Sequence, residues 1–282
     1  KASSVPRPAS GQSVPDDTRP IPARVAMVDM RLFARPPVAM GPHAVPRSAF
    51  TLVPQPDGQT PPAKGQGRWS FYSYLHWRSG SPDAAVASAS PSYGGSQVYG
   101  RLSYRIGRDV ERSRLSLYLR SSSSLTTLLD SEQALGAELR PFANLPIRLH
   151  AERRIRQVRP AATAIFLSGG VEKQSLPLDL RLSAYAQGGA LVDGPDGFLP
   201  FYDGQIDLTA PVVGRDAARF SVGAKLSGGG QGRTARLDVG PVAIVDIPWG
   251  ERQLRAEAGW RERVAGNAEP GGGPTFTLGI AF

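Results

Sequence analysis

From Arg68 to Phe282 the chain alternates, residue by residue, between apolar side chains and polar or charged ones, in twelve separate runs. Period two places alternate side chains on opposite faces of a strand. In 68–77, Trp69, Phe71, Ser73, Leu75 and Trp77 share one face, and Ser70, Tyr72, Tyr74 and His76 the other. In 97–106, Val98, Gly100, Leu102, Tyr104 and Ile106 oppose Arg101, Ser103 and Arg105. The same pattern returns at 114–120, 135–140, 147–152, 178–187, 206–210, 219–226, 234–239 and 254–261, and more weakly at 162–171. The last run, 274–282, sets Phe276, Leu278, Ile280 and Phe282 against Thr275, Thr277, Gly279 and Ala281.

Clusters of Gly, Pro, Asn, Asp and Ser separate the runs, as turn chemistry requires. The connections at 108–113, 142–146 and 174–177 read as tight, and those at 79–96, 121–132, 188–199 and 228–232 as longer. Short turns on one side and long loops on the other are expected of a bacterial barrel. The glycine-rich stretches 228–230 and 271–273 read as turns, since neither sits between a strand and a helix as a phosphate cradle would.

A soluble sandwich also alternates, but it hides its large apolar side chains. Here the apolar rows are light, and the polar rows carry several charges each. Turned inward in a ring, such polar rows line a charged lumen, and the apolar rows meet lipid. No stretch approaches the ~18–20 apolar residues of a membrane-spanning helix, whereas a spanning strand needs only ~9–11 residues. Backbone groups in lipid must all be paired, so the sheet must close on itself. Trp69, Trp77, Tyr104, Trp249, Trp260, Phe276 and Phe282 stand near run ends, where aromatic girdles form. The expected fold is all-β: a transmembrane antiparallel up-and-down β-barrel of about twelve strands over 67–282. The expected location is the outer membrane of a Gram-negative bacterium, in contact with its lipid.

Residues 1–66 hold 13 of the 26 prolines. Such a stretch forms neither a long helix nor a central strand. It reads as a Pro-rich N-terminal arm, linker or plug, with 23–33 apolar enough to pack on something. The first residues contain no basic-then-apolar leader, so a chain starting at Lys1 is expected to be a mature product or a piece of a longer one. The chain has no cysteine, which excludes disulfides and thiolate-bound metals.

Basic residues exceed acidic ones by 33 to 24, and 29 of the basic residues are Arg. Arg favours fixed, forked contacts with carboxylate or phosphate. The polar rows place Arg101, Arg105, Arg114, Arg120, Arg140, Arg148, Arg181, Arg219, Lys225, Arg236, Arg255 and Arg261 inside as pore-lining residues. Glu138, Glu152, Asp179, Asp238 and Glu257 join them. Two outcomes stay open: a net-positive lumen that attracts anions, or cross-strand ion pairs that fill a narrow barrel. The arginines are spread over many strands rather than gathered on one patch, which argues against nucleic acid. His150 and Ser116 share polar faces, but no motif couples them, so no catalytic residue, metal or cofactor is expected.

The ending PTFTLGIAF resembles the carboxy-terminal signal of outer-membrane barrels, which implies recognition of Phe276, Leu278, Ile280 and Phe282 by the barrel-assembly machinery. A narrower likeness spans about 68–282. Gly94, Gly95, Ser96 and Gln97 precede a strand. Gly136, Leu139, Arg140 and Pro141 are followed by Leu149, Glu152 and Arg153. These segments resemble the C-terminal domain of the bacteriophage adsorption protein A family, although a proline-rich stretch stands where that family often carries helical repeats. The resemblance implies an outer-membrane barrel tied to export or display of a surface polysaccharide, and a possible target for phage. It also implies an anionic polysaccharide and periplasmic or inner-membrane glycan-synthesis proteins as partners. A small-solute porin with a basic lumen and an anchoring barrel with a closed lumen are the alternatives.

Overall fold

The computed structural model describes residues 67–80, 95–107, 113–125, 131–157, 160–194, 197–215, 218–250 and 252–282. The N-terminal arm, 1–66, lies outside the described residues, as do 81–94 and several short connections.

The described residues form twelve strands: β1 (Trp69–Arg78), β2 (Gln97–Ile106), β3 (Leu115–Ser124), β4 (Ser131–Leu139), β5 (Ile147–Arg156), β6 (Ala162–Ser175), β7 (Arg181–Gly194), β8 (Gly197–Arg215), β9 (Ala218–Gln231), β10 (Thr234–Trp249), β11 (Arg252–Gly266) and β12 (Gly273–Ala281). Each pairs with its sequence neighbours, and β1 pairs antiparallel with β12 to close the barrel. Closure removes both sheet edges, so no ladder is left unpaired. At the seam Phe71 and Phe282 exchange both backbone hydrogen bonds, at 2.8 and 3.0 Å. This seam defines a terminal rim, where Trp69 and Phe282 stand, and a far rim at the other end.

The distribution of exposure is the inverse of a soluble domain's. Leu135 is 63% exposed, Leu119 54% and Leu167 52%, whereas His150, Arg78 and Glu152 are at most 2% exposed. Leucines on the outside and charges on the inside require lipid as the outer solvent. The aromatic girdles complete the pattern. At the terminal rim Trp69 meets Tyr104 at 4.8 Å between ring centroids, and Phe71 meets Phe282 at 5.3 Å. The Arg252 guanidinium stands 5.5 Å from the Trp249 ring and 5.8 Å from that of Phe282. Trp77 and Phe276, neighbours in register, and Trp260 form the far girdle. Along β1, Trp69 and Trp77 are about 26 Å apart at ~3.3 Å per residue, and a tilt of ~40° leaves roughly 20 Å of height. That is close to the ~25 Å apolar band of outer-membrane barrels. The chain is an outer-membrane β-barrel.

The connections differ from expectation. Strands β6 to β11 run 14 to 19 residues, longer than the ~9–11 a membrane needs. Residues read as loops at 188–199 and 228–232 therefore lie mostly in strands. The β7–β8 connection is 195–196, and β9 turns into β10 through Gln231, Gly232, Arg233 and Thr234. In 121–132, β3 continues to Ser124 and β4 begins at Ser131. The connection 79–96 at the far rim is long as expected, but β7 to β11 join through two residues at either rim, so elsewhere short and long connections do not sort by side. Gly228 and Gly230 are strand residues for a packing reason. A Cβ on Gly230 would stand 2.9 Å from the Tyr202 ring, and the missing Cβ lets that ring cover the sheet. Asp179 is also displaced. Leu178 and Asp179 sit in the β6–β7 turn at φ 65° and 55°, and β7 starts only at Arg181. Asp179 is therefore exposed and lines nothing.

Candidate functional site

The inward rows meet in the lumen. Arg101, Arg105, Glu138, Glu152, Lys225, Arg236, Asp238, Glu257 and Arg261 are buried there. Arg120, Arg148, Arg181 and Arg255 are partly buried, as is Arg140 just beyond the end of β4. Arg114, just before β3, and Arg219, near the start of β9, are exposed.

These side chains gather into two charged networks. The first covers β2 to β5. Arg101 donates to Glu138 at 2.6 Å and lies over the Tyr118 ring at 3.9 Å. The Tyr118 hydroxyl donates to Glu152 Oε2 at 2.9 Å, and Arg120 and Arg154 donate to Glu152 Oε1 at 2.8 and 2.6 Å. Arg120 also reaches Glu132 at 2.5 Å. One buried carboxylate thus accepts from a phenol and two guanidiniums, which is the pairing a charge needs in a low-dielectric interior.

The second network covers β8 to β11 and reaches β1. Asp238 receives Arg236 at 2.5 Å and Arg78 at 2.8 Å. Lys225 pairs with Glu257, and it stands 3.4 Å from Asp207. Arg261 and Arg255 close the group, 3.7 Å from Glu257 and Asp207 respectively.

Several contacts are chords rather than neighbours. Arg78 on β1 and Asp238 on β10 are three strands apart around the ring, and Lys173 on β6 meets Asp246 on β10, four strands away, at 3.1 Å. Arg154 on β5 lies 4.9 Å from the Phe201 ring on β8. An apolar cluster backs that contact: Ala162, Ala164, Phe166, Leu191 and Phe201. Side chains therefore cross the lumen near both rims.

Sequence reasoning missed Arg78, Glu132, Arg154, Lys173 and Asp246, and the apolar cluster. Arg78 and Arg154 are the next inward positions after His76 and Glu152, where the rows of 68–77 and 147–152 ended, so parity would have found them. Lys173 lies within a bulge between Val171 and Gln174, which breaks the alternation there and hides it from a parity count.

His150 is partnered by Ser168 rather than by Ser116, with Nε2 and Oγ 2.7 Å apart. The imidazole stacks on Phe166 at 4.4 Å, and its Nδ1 has no hydrogen-bond partner among the described residues. Both side chains are sealed from solvent.

No family model matches the chain, and no curated protein matches it. Among solved structures it is similar to the NanC porin, at 9% identity and a TM-score of 0.39, over 75% of this chain and 98% of that one. A bacterial polysaccharide outer membrane secretin matches at 8% identity and 0.38, over 76% and 97%. LpxR from Salmonella typhimurium matches at 7% identity and 0.38, over 76% and 99%.

Proposed function

We propose that this barrel is a side-chain-filled outer-membrane scaffold serving the display of a surface polysaccharide, not an open conduit for it. The observation that carries the closed lumen is the Arg78–Asp238 chord, whose side chains are 0% and 3% exposed. A hydrated channel wide enough for a sugar chain would leave such groups wet. The tie to a polysaccharide rests on the likeness to the bacteriophage adsorption protein A family. Its motif residues Gly136, Arg140 and Glu152 belong to the first network or its edge. Under this reading the glycan-synthesis machinery would be reached from the terminal rim, and phage would meet the far rim.

Planar-bilayer recording on the refolded full chain tests the lumen. No conductance steps are expected, and a steady ohmic current would establish the porin reading instead. Deleting the gene tests the role: surface-retained polysaccharide should fall, and an unchanged glycan coat would overturn display.

A further inference from the structure

The first network is unevenly charged at the terminal rim. Four guanidiniums surround the single carboxylate of Glu138. Arg101 takes Oε2 at 2.6 Å, while Arg140 and Arg148 stand 3.4 and 3.6 Å from Oε1. The fourth, Arg105, has no ion pair and no side-chain hydrogen bond among the described residues, although it is only 8% exposed. The charges that act on it are those of Arg140, Glu138 and Arg148. Arg140 itself lies beyond β4, and burial, then the Arg148 guanidinium, lowers it from the ordinary arginine range.

Register explains the convergence. Arg105 on β2 pairs across to Ser116 on β3, which pairs to Glu138 on β4. Arg148 enters from the start of β5, one strand further on. Ser116 is also mostly buried, yet neither its Oγ nor the Arg105 guanidinium nitrogens are among the fully enclosed unpaired atoms, so both groups reach solvent. An unpaired guanidinium and an unpaired hydroxyl thus sit side by side, with net positive charge around them. Both groups therefore keep donors open to a solute that enters from the rim. The Arg140 side chain is 34% exposed, so the cluster opens toward the rim.

We propose that Arg105, Ser116, Arg140 and Arg148 form a binding site for an oxyanion, the phosphate or carboxylate group of a small solute or sugar acid. Guanidiniums offer planar forks that match such groups two bonds at a time, and the serine hydroxyl adds a neutral donor. The site needs only the barrel geometry, and it holds whether or not the lumen conducts.

Calorimetric titration of the refolded full chain at low salt, with inorganic phosphate, pyrophosphate and glucuronate in turn, tests it. Saturable binding of at least one is expected, weakened by roughly tenfold or more in Arg105→Gln and in Arg140→Gln, the usual consequence of losing one charge-assisted partner. Arg219→Gln, on the far side of the barrel, should bind as the unaltered chain does. Preference for the phosphates would assign a phosphate ligand, and preference for glucuronate a sugar acid. Should Arg105→Gln fail to fold, Arg140→Gln gives the same measurement from a more exposed position. If the unaltered chain binds none of the three, or if Arg219→Gln weakens binding as much as Arg140→Gln, the site does not exist.

Discussion

The ring of Tyr118 occupies the space that a side chain at Gly136 would need: a Cβ there would stand 2.5 Å from Cζ and 2.6 Å from the hydroxyl. The two residues are direct partners on β3 and β4. The bare backbone at 136 lets the phenol lie across β4 and reach Glu152 on β5. Aromatic cover over a strand glycine also stabilises the sheet itself. Gly136→Ala should therefore force the ring away, break its bond to Glu152 and disturb the Arg101 stack. Overpacking of this kind costs about 1–3 kcal/mol. Urea unfolding of the refolded barrel in lipid vesicles, followed by tryptophan fluorescence, measures it. An unchanged midpoint would show that Tyr118 has another place to go.

Glu152 holds the first network together. It accepts from Tyr118, Arg120 and Arg154, and it is buried at 2% exposure. Glu152→Gln removes the charge and leaves Arg154 with Glu132 as its remaining carboxylate, at 3.8 Å. Breaking one side of a buried pair costs roughly 3–5 kcal/mol, while replacing both partners by apolar groups can be neutral. The single variant should unfold at clearly lower urea than Glu152→Met combined with Arg154→Met. If both unfold alike, volume rather than charge fills this part of the lumen.

Strand number, closure and facing were legible in the sequence because parity is a local property. Leu117 and Leu119 point to lipid for the same reason that Tyr118 does not. Where runs ended, the reading stopped too early. The run at 234–239 stops just before Gly240 and Pro241, yet β10 carries through them to Trp249, with Val242, Ile244 and Asp246 continuing the inward row of Thr234, Arg236 and Asp238. Strand pairing on both sides of β10 holds this stretch, and pairing with distant residues is not visible in a local window. The chords were illegible for the same reason. Nothing in the alternation tells Arg78 that Asp238, 160 residues later, will face it.

The outer face permits a depth test. Along β11 the lipid-facing row runs Arg252, Leu254, Ala256, Ala258 and Trp260. Arg252 is tolerated because it lies at the terminal girdle, over Trp249 and Phe282. Ala256 is midway between the girdles. Arginine on the lipid face costs about 2–4 kcal/mol at the midplane and ~0–1 kcal/mol near the interface. Ala256→Arg should lower stability by the larger amount in vesicle refolding, and Arg252→Ala by little. Equal effects at both positions would mean that the membrane midplane has been misplaced.

Phe282 has two roles that one experiment can separate. In the folded barrel its backbone closes the seam with Phe71, and its ring touches Phe71 and Arg252. As the last residue of an alternating row with Phe276, Leu278 and Ile280, it is also where the barrel-assembly machinery is expected to bind. Phe282→Ala keeps both backbone hydrogen bonds and loses only the ring. Half-exposed at the lipid interface, that ring should contribute on the order of 1 kcal/mol to stability. Spontaneous refolding in vesicles should therefore be nearly intact, while the amount of folded barrel reaching the outer membrane in cells should fall several-fold. Heat-modifiable migration in gels reads both. A parallel loss in vesicles and in cells would make the terminal phenylalanine a structural residue of the seam and nothing more.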